Sequence, residues 1–495
     1  MSDIPHQTTP DKAYLARLER AMDEIWGIAK RFGLDPYPVN FELVPASIMY
    51  EFGAYGLPGR FSHWSRGKAY YRMKTEYDYG LSKIYELVVN TNPSYAFLME
   101  QNDLLQNMVV VAHVLGHTDF FKNNTYFHAT PSNMIDKVSV SADRIRKYEY
   151  DHGEHEVERF LDAVLAIEEH IDPHVTLKRP SGATEQEQSA DPGEERKRAS
   201  AYDDLWSLSE REKRRREEDE ARERALRKHR RFPAEPEKDL LKFLAEHAPN
   251  LQPWQRDVLL IVREEMLYFV PQMRTKVANE GWASFWHARI TREMDLTDAE
   301  YTAFAQMHAG VLATSRMRIN PYHLGYRLLE DIERRWDNPT DEEHERLGRQ
   351  PGQGRAQIFT VREQESDASL VRNYLTKQLV EDLDLYLYRK VEDEWVIVEK
   401  DWEKVRDGIA ASMTNYGIPY IAVWDADYNG NTELMLRHYV EGDQELDIPY
   451  AEKTLEHLYH IWSRPVHIET MRDGKPLRLT YNGEKHLRVS PDDDD

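Results

Sequence analysis

The chain has 495 residues, with 88 acidic against 65 basic side chains and a formal charge of −23. That length accommodates about two to four domains, and an apolar content of 40% permits real cores. The acidic balance argues against a nucleic-acid partner, because phosphate affinity comes from clustered Lys and Arg. The absence of cysteine removes disulfides, thiolate ligands and a catalytic thiol, so any metal ion must be held by His, Asp or Glu. No run of about 18 apolar residues reads as a membrane span. The polar start MSDIPHQTTPDK lacks a signal-peptide core, and the expectation is a cytoplasmic protein.

In chain order, residues 11 to 33 read as an amphipathic helix, with Leu15, Leu18, Met22, Ile25, Trp26 and Ala29 at helical spacing and Gly33 as its stop. Three prolines then break DPYPVNFELVP, and Ser47 to Tyr55 reads as a short helix. His63 to Glu100 is rich in Tyr and Val with some alternation, which predicts two or three strands ending in Ser94 to Glu100. Helices follow at 108–124, 133–150 and 154–171. Residues 173 to 200 are rich in Pro, Gly, Ser, Glu and Gln and read as a flexible linker. The mixed charges of 210–231 suit a solvated helix. Apolar helices return over 237–248 and 252–336, and a polar stretch at 337–366 marks a second boundary. From about Ser369 the pattern is mixed, with strands expected at 383–391, 395–400, 420–424, 433–439, 466–471 and 477–481, and helices at 402–416 and 450–462. The acidic tail PDDDD reads as disordered. The segment Asp425-Ala-Asp427-Tyr-Asn429-Gly430 matches half of a calcium loop, but Leu436 stands where the twelfth-position Glu is required; a hairpin turn is the expectation.

The stretch that organises the chain is MVVVAHVLGHTDFFKNN, Met108 to Asn124. His113 and His117 are four residues apart, so on a helix both imidazoles share one face and can reach one metal ion. The alternative is a buried helix whose histidines simply hydrogen-bond. A second feature is Asn279-Glu280-Gly281-Trp282-Ala283 followed by His287. Glu280 and His287 lie two helical turns apart and share a face. A carboxylate brought from this second helix to the histidine pair completes a His₂Glu catalytic zinc site with one open position. HVLGH resembles the H-E-x-x-H helix of thermolysin-type zinc peptidases, and NEGWA resembles the helix that brings their glutamate ligand. By that analogy Tyr95 to Glu100 is the edge strand that pairs with extended peptide substrate. The departure is Val114, which stands where the general-base Glu belongs and cannot accept a proton. Glu265 and Glu264 are the candidate replacements. His287, His323 and Tyr322 are candidates for oxyanion stabilisation, or else satisfied core residues.

The segments GLPGRFSHWSRGKAY (56–70), AHVLGHTDFFKNN (112–124), VERFLDA (157–163), WQRDVLLIVREEMLYFVPQMRTKVANEGWASFWH (254–287) and NPYHLGY (320–326) together resemble the stage V sporulation protein R family. The resemblance implies a cytoplasmic protein and, for the founding member, a link to the spore cortex, a modified peptidoglycan. It implies a stress-response setting with two partners, a serine protein kinase of the PrkA type and a von Willebrand-like protein. It supplies no agreed biochemical activity. The expected architecture is α+β: a mainly helical, zincin-like domain with a small sheet, built from residues 1–175 and 235–345 around a charged insert at 176–234. A linker at 346–366 would lead to a C-terminal α/β domain at 367–490. Two functions compete: a zinc-dependent peptidase or amidase acting on a peptide-like substrate, and a non-enzymatic adaptor on a degenerate zincin scaffold.

Overall fold

In the computed structural model the described residues are 12–55, 63–78, 86–128, 130–131, 133–174, 231–314, 318–391, 394–440 and 444–490. Most of the expected flexible linker, most of the charged insert and the acidic tail lie outside them. Six helices and three strands come first: α1 (Lys12–Arg31), β1 (Val39–Val44), α2 (Ala46–Tyr55), α3 (Trp64–Asp78), β2 (Glu86–Val89), β3 (Ser94–Met99), α4 (Leu104–Asn123), α5 (Met134–His152) and α6 (Glu154–Leu165). Then follow α7 (Leu240–His247), α8 (Pro253–Arg274), α9 (Lys276–Arg292), α10 (Asp298–Val311), α11 (Pro321–Asp337), α12 (Asp341–Leu347), α13 (Gly354–Gln364), α14 (Asp367–Tyr374) and α15 (Lys377–Asp382). The last part holds β4 (Leu387–Val391), β5 (Glu394–Glu399), α16 (Trp402–Met413), β6 (Tyr420–Tyr428), β7 (Glu433–Tyr439), α17 (Ile448–Trp462), β8 (Val466–Arg472), β9 (Lys475–Tyr481) and β10 (His486–Val489). The fold class is α+β, as expected. No helix among the described residues is long and apolar enough to cross a membrane.

The chain divides into two compact units, Met1–Leu161 with Glu264–Ile418, and Asp162–Arg263 with Pro419–Asp495. This division differs from the expected one in two ways: 162–175 and 235–263, expected in the helical domain, belong to the second unit, where Glu237 pairs with Val423 of β6, and 367–418 joins the first unit. The reason is packing: Leu370, Val371, Leu379, Val405 and Ile409 are buried in the same core as Val111, Val114 and Leu115 of α4. The polar stretch read as a linker at 346–366 carries α13, whose Ile358 and Val361 enter that core. Asp337 closes the turn before it by accepting the Gly354 N–H at 2.8 Å.

In the first unit the small sheet has the order β1-β3-β2, with β1 parallel and β2 antiparallel to β3. This corrects the strand analogy: 95–100 lies mostly in the central strand, and the edges are β1 and β2. The tyrosine-rich stretch read as strand is helical through Asp78. Its Tyr70 packs edge-on against Tyr50 of α2, ring centroids 6.5 Å apart, a tertiary contact that overrides the β preference of tyrosine.

Helix α4 starts on a capping box: Asp103 accepts the Gln106 N–H at 2.7 Å, and Gln106 returns the bond at 2.9 Å. It is buried nearly all round from Leu105 to Phe121, as a helix without a polar face must be. Helix α9 lies against it with Gly116 facing Ala283, where a Cβ on residue 116 would come within 2.7 Å of backbone. On its other side Gly281 meets Gly325 of α11, where an added Cβ would sit 2.4 Å from the neighbouring backbone. Side-chain-free contacts thus clamp α9 between α4 and α11.

In the second unit a five-stranded sheet runs β10-β9-β8-β7-β6. Only the β7–β8 pair is parallel, and α17 makes the crossover such a pair requires. Asn429 and Gly430 take left-handed conformations, φ 60 and φ 67, in the turn joining β6 to β7. The half calcium loop is therefore a hairpin turn.

Candidate metal centre

Three elements bring the polar groups together. From α4, His113 and His117 point the same way, their rings 4.5 Å apart at 86°. From α9, Glu280 places Oε2 3.4 Å from His117 Nε2 and 3.6 Å from His113 Nε2. From β2, Glu86 places Oε1 3.5 Å from His113 Nε2. Glu86 alternates with Leu87 along its strand and shares a face with Val88, which packs on the core containing α4. Glu86, His113 and His117 each offer a ligand atom within 4.8 Å of the others. The structure thus joins the three expected ligands and adds Glu86, which sequence reasoning missed. Its signal was an acid opening the apolar run ELVV just before the histidine helix.

The rings are held from behind. His117 Nδ1 bonds Asn279 Oδ1 at 2.9 Å; the amide oxygen can only accept, so His117 carries its proton on Nδ1 and turns a lone pair on Nε2 toward Glu280. His113 Nδ1 is 2.8 Å from His287 Nδ1, and His287 Nε2 is 2.9 Å from His308 Nδ1. His287 is therefore engaged at both nitrogens, behind His113. His308 was not among the expected residues, and nothing in its local sequence marks it.

His113 Nε2 and Glu280 Oε2 are buried without a hydrogen-bond partner. Such orphaned atoms are costly unless something else meets them. Burial opposes charge on His113, but the carboxylates of Glu86 and Glu280 outweigh it and raise its pKa. Burial, then the charge of His113, lowers His117 to about 4. Burial raises Glu86. It would do the same to Glu280, but the two histidines outweigh it and lower that pKa. The pocket favours one positive charge between two carboxylates and two imidazoles. A divalent cation satisfies that preference and both orphaned atoms, so the donor set fits a metal ion.

A cavity of about 250 Å³ opens beside the cluster, lined by Glu86, His113, His287 and Tyr322, with Val109, Val110, Met307 and Val311 among its apolar walls. Tyr322 stacks on His113 at 6.1 Å and 25° and hydrogen-bonds Glu280; burial, then the two carboxylates, raises its pKa. Asn320 caps α11 by accepting the Tyr322 and His323 N–H groups. The His323 ring is half-buried and does not line the cavity. Neither candidate base lines this cavity. Glu264 is largely exposed and lies 3.9 Å from Lys137; Glu265 is buried on α8 but lines no part of this cavity. Pro271 lies inside α8, and the helix continues to Arg274. Val114 is fully buried in the core.

Residues 12–418 match the family model described as SpoVR like protein, and 419–473 match the SpoVR-like C-terminal domain. The chain belongs to the SpoVR-like family. The boundary between the two matches falls between Ile418 and Pro419, where the two compact units also divide. Over 493 residues the chain is 30% identical to the Escherichia coli K12 protein named "Uncharacterized protein YcgB", covering 94% of this chain and 92% of the relative. No solved structure matches.

Proposed function

We propose that His113, His117 and Glu280 hold a divalent metal ion, zinc by its donor set, and that the site hydrolyses an amide bond in a peptide-like substrate. The observation that supports this most is the pair of buried atoms, His113 Nε2 and Glu280 Oε2, aimed into one space 3.6 Å apart and left without a hydrogen bond of ordinary geometry. Such an ion supplies a hydroxide near neutral pH and a positive charge for a developing oxyanion. The histidines and Glu280 are pre-set by Asn279, His287 and Tyr322. The proton acceptor that Val114 cannot provide is the Glu86 carboxylate, raised by burial and facing the same space; it replaces Glu264 and Glu265 in that role. The apolar walls from α4 and α10 keep water out and take an uncharged substrate group. A cytoplasmic setting, a cell-wall or stress-response substrate and the kinase and von Willebrand-like partners go with this reading through the family resemblance.

The test is elemental analysis of tag-free protein purified without chelator, beside His113→Ala and Glu280→Ala. The expected result is about one equivalent of zinc in the wild type, lost from both variants. Glu86→Gln should keep the metal and lose hydrolysis. Well-folded wild type that takes up no metal on reconstitution would overturn the hydrolase reading and leave the adaptor.

A further inference from the structure

The hydrogen-bonded chain behind His113 runs away from the cluster through two more imidazoles. His287 is 2% exposed on α9. His308 lies half-buried on α10, stacked on Phe304 at 5.7 Å and 22° and edge-on to Tyr326 at 5.3 Å. Each nitrogen-to-nitrogen contact under 3 Å needs one hydrogen between the rings. Two polarities are open to three neutral imidazoles. In the inward one, His308 Nδ1–H donates to His287 Nε2, His287 Nδ1–H donates to His113 Nδ1, and His113 Nε2 carries a hydrogen. In the outward one, His113 Nδ1–H donates to His287 Nδ1, His287 Nε2–H donates to His308 Nδ1, and His113 Nε2 is bare.

We infer that His287 and His308 are positioning residues, and that their chain runs outward to hold His113 with its proton on Nδ1 and its lone pair toward the Glu86 and Glu280 carboxylates. The inference rests on the metal-site reading. Its independent support is the neighbouring ring: Asn279 Oδ1 can only accept, so His117 already presents Nε2 as a lone pair to the same space, and the outward polarity makes the two rings match. Metal-bound histidines commonly gain this orientation from a carboxylate or carbonyl behind them. Here the Ala283 backbone also bonds the His113 ring, and two imidazoles extend the support, the last on α10, which also contributes Met307 and Val311 to the cavity wall. The pose of α10 and the aim of His113 are thereby linked.

The test uses the full chain labelled with ¹⁵N-histidine, whose long-range ¹H–¹⁵N spectra report which ring nitrogen carries the hydrogen. In zinc-loaded protein, His113 and His117 should carry it on Nδ1, and His287 and His308 on Nε2. His308→Ala should weaken zinc binding by about 10–100-fold with the His117 signals unchanged. His308→Gln, whose carbonyl can still accept from His287 Nε2–H, should restore affinity. A hydrogen on His287 Nδ1, or unchanged zinc affinity in His308→Ala, would overturn the inference. If the wild type binds no zinc, the metal reading fails by itself. The metal-free spectra, read where His113 carries a single ring hydrogen, then decide the chain direction: Nε2–H on His287 supports the positioning role, and Nδ1–H defeats it.

Discussion

His113 and His117 on α4 and His438 and His467 on β7 and β8 are all less than a tenth exposed, yet the two regions treat them differently. In the sheet unit His467 is bonded at both nitrogens, by Thr480 at 2.8 Å and Glu433 at 3.0 Å. His438 Nδ1 meets Thr470 at 2.9 Å. In the helical unit the Nδ1 atoms are bonded and the Nε2 atoms are turned at carboxylates beyond ordinary hydrogen-bond length. Buried histidine by itself therefore says little; one nitrogen held and the other aimed at carboxylates is the arrangement on which the metal proposal rests. The same contrast exists within α4. Asp119, two residues past His117, accepts from Asp35 N–H at 2.7 Å, from Trp282 at 2.8 Å and from Arg362 at 2.9 Å. It is a closed group on the helix that carries the open ones.

If closed groups carry stability and open ones carry ligand, the largest stability loss should come from Asp119. Asp119→Ala leaves the buried Arg362 guanidinium with Glu363 as its remaining carboxylate, at 2.9 Å, and should cost about 3–5 kcal/mol in chemical denaturation. His113→Ala should remove metal at far smaller cost to the metal-free fold. Equal losses would break the comparison. Next is the clamp on α9. Gly281→Ala forces a Cβ into the Gly325 backbone and should cost about 1–3 kcal/mol or more. It should also lower metal affinity, because Glu280 is the adjacent residue. Metal content separates the regions further: His467→Ala should leave it at the wild-type level.

The most gradual effect is in pH. Burial first, then the charges of Lys238 and His438, lowers His170 in the sheet unit to about 4 from 6.5. Between those values the unfolded chain binds the extra proton, so stability is full above 6.5 and falls as pH drops toward 4. The slope is at most about 1.4 kcal/mol per pH unit for this group. Amide exchange at Leu240, which donates to the His170 carbonyl at 2.9 Å, should accelerate over that window. A flat profile would show that His170 is not held as a neutral ring.

Periodicity determined much of the architecture. The spacing of Leu18, Ile25 and Ala29 predicts α1, the four-residue step from His113 to His117 predicts a shared face, and the seven-residue step from Glu280 to His287 does the same on α9. These are local facts, because a helix repeats every 3.6 residues whatever surrounds it. Val114 in place of the base, and the hairpin at Asn429-Gly430, were also readable, since each depends on one side chain or one turn. Strand order, the helical state of the tyrosine-rich segment and the entry of α13 and α14 into the first core were not. They depend on contacts between residues far apart in the chain, which no local pattern encodes. Glu86 and His308 are the sharpest cases: neither stands at a ligand spacing from His113. Only the pairing of β2 with β3, and the packing of α10 beside α9, brings them to it. The sequence by itself thus determined which side chains could bind, through helical phase. The tertiary structure decided which of them meet, because three separate elements must converge before any polar atom is left facing an open space.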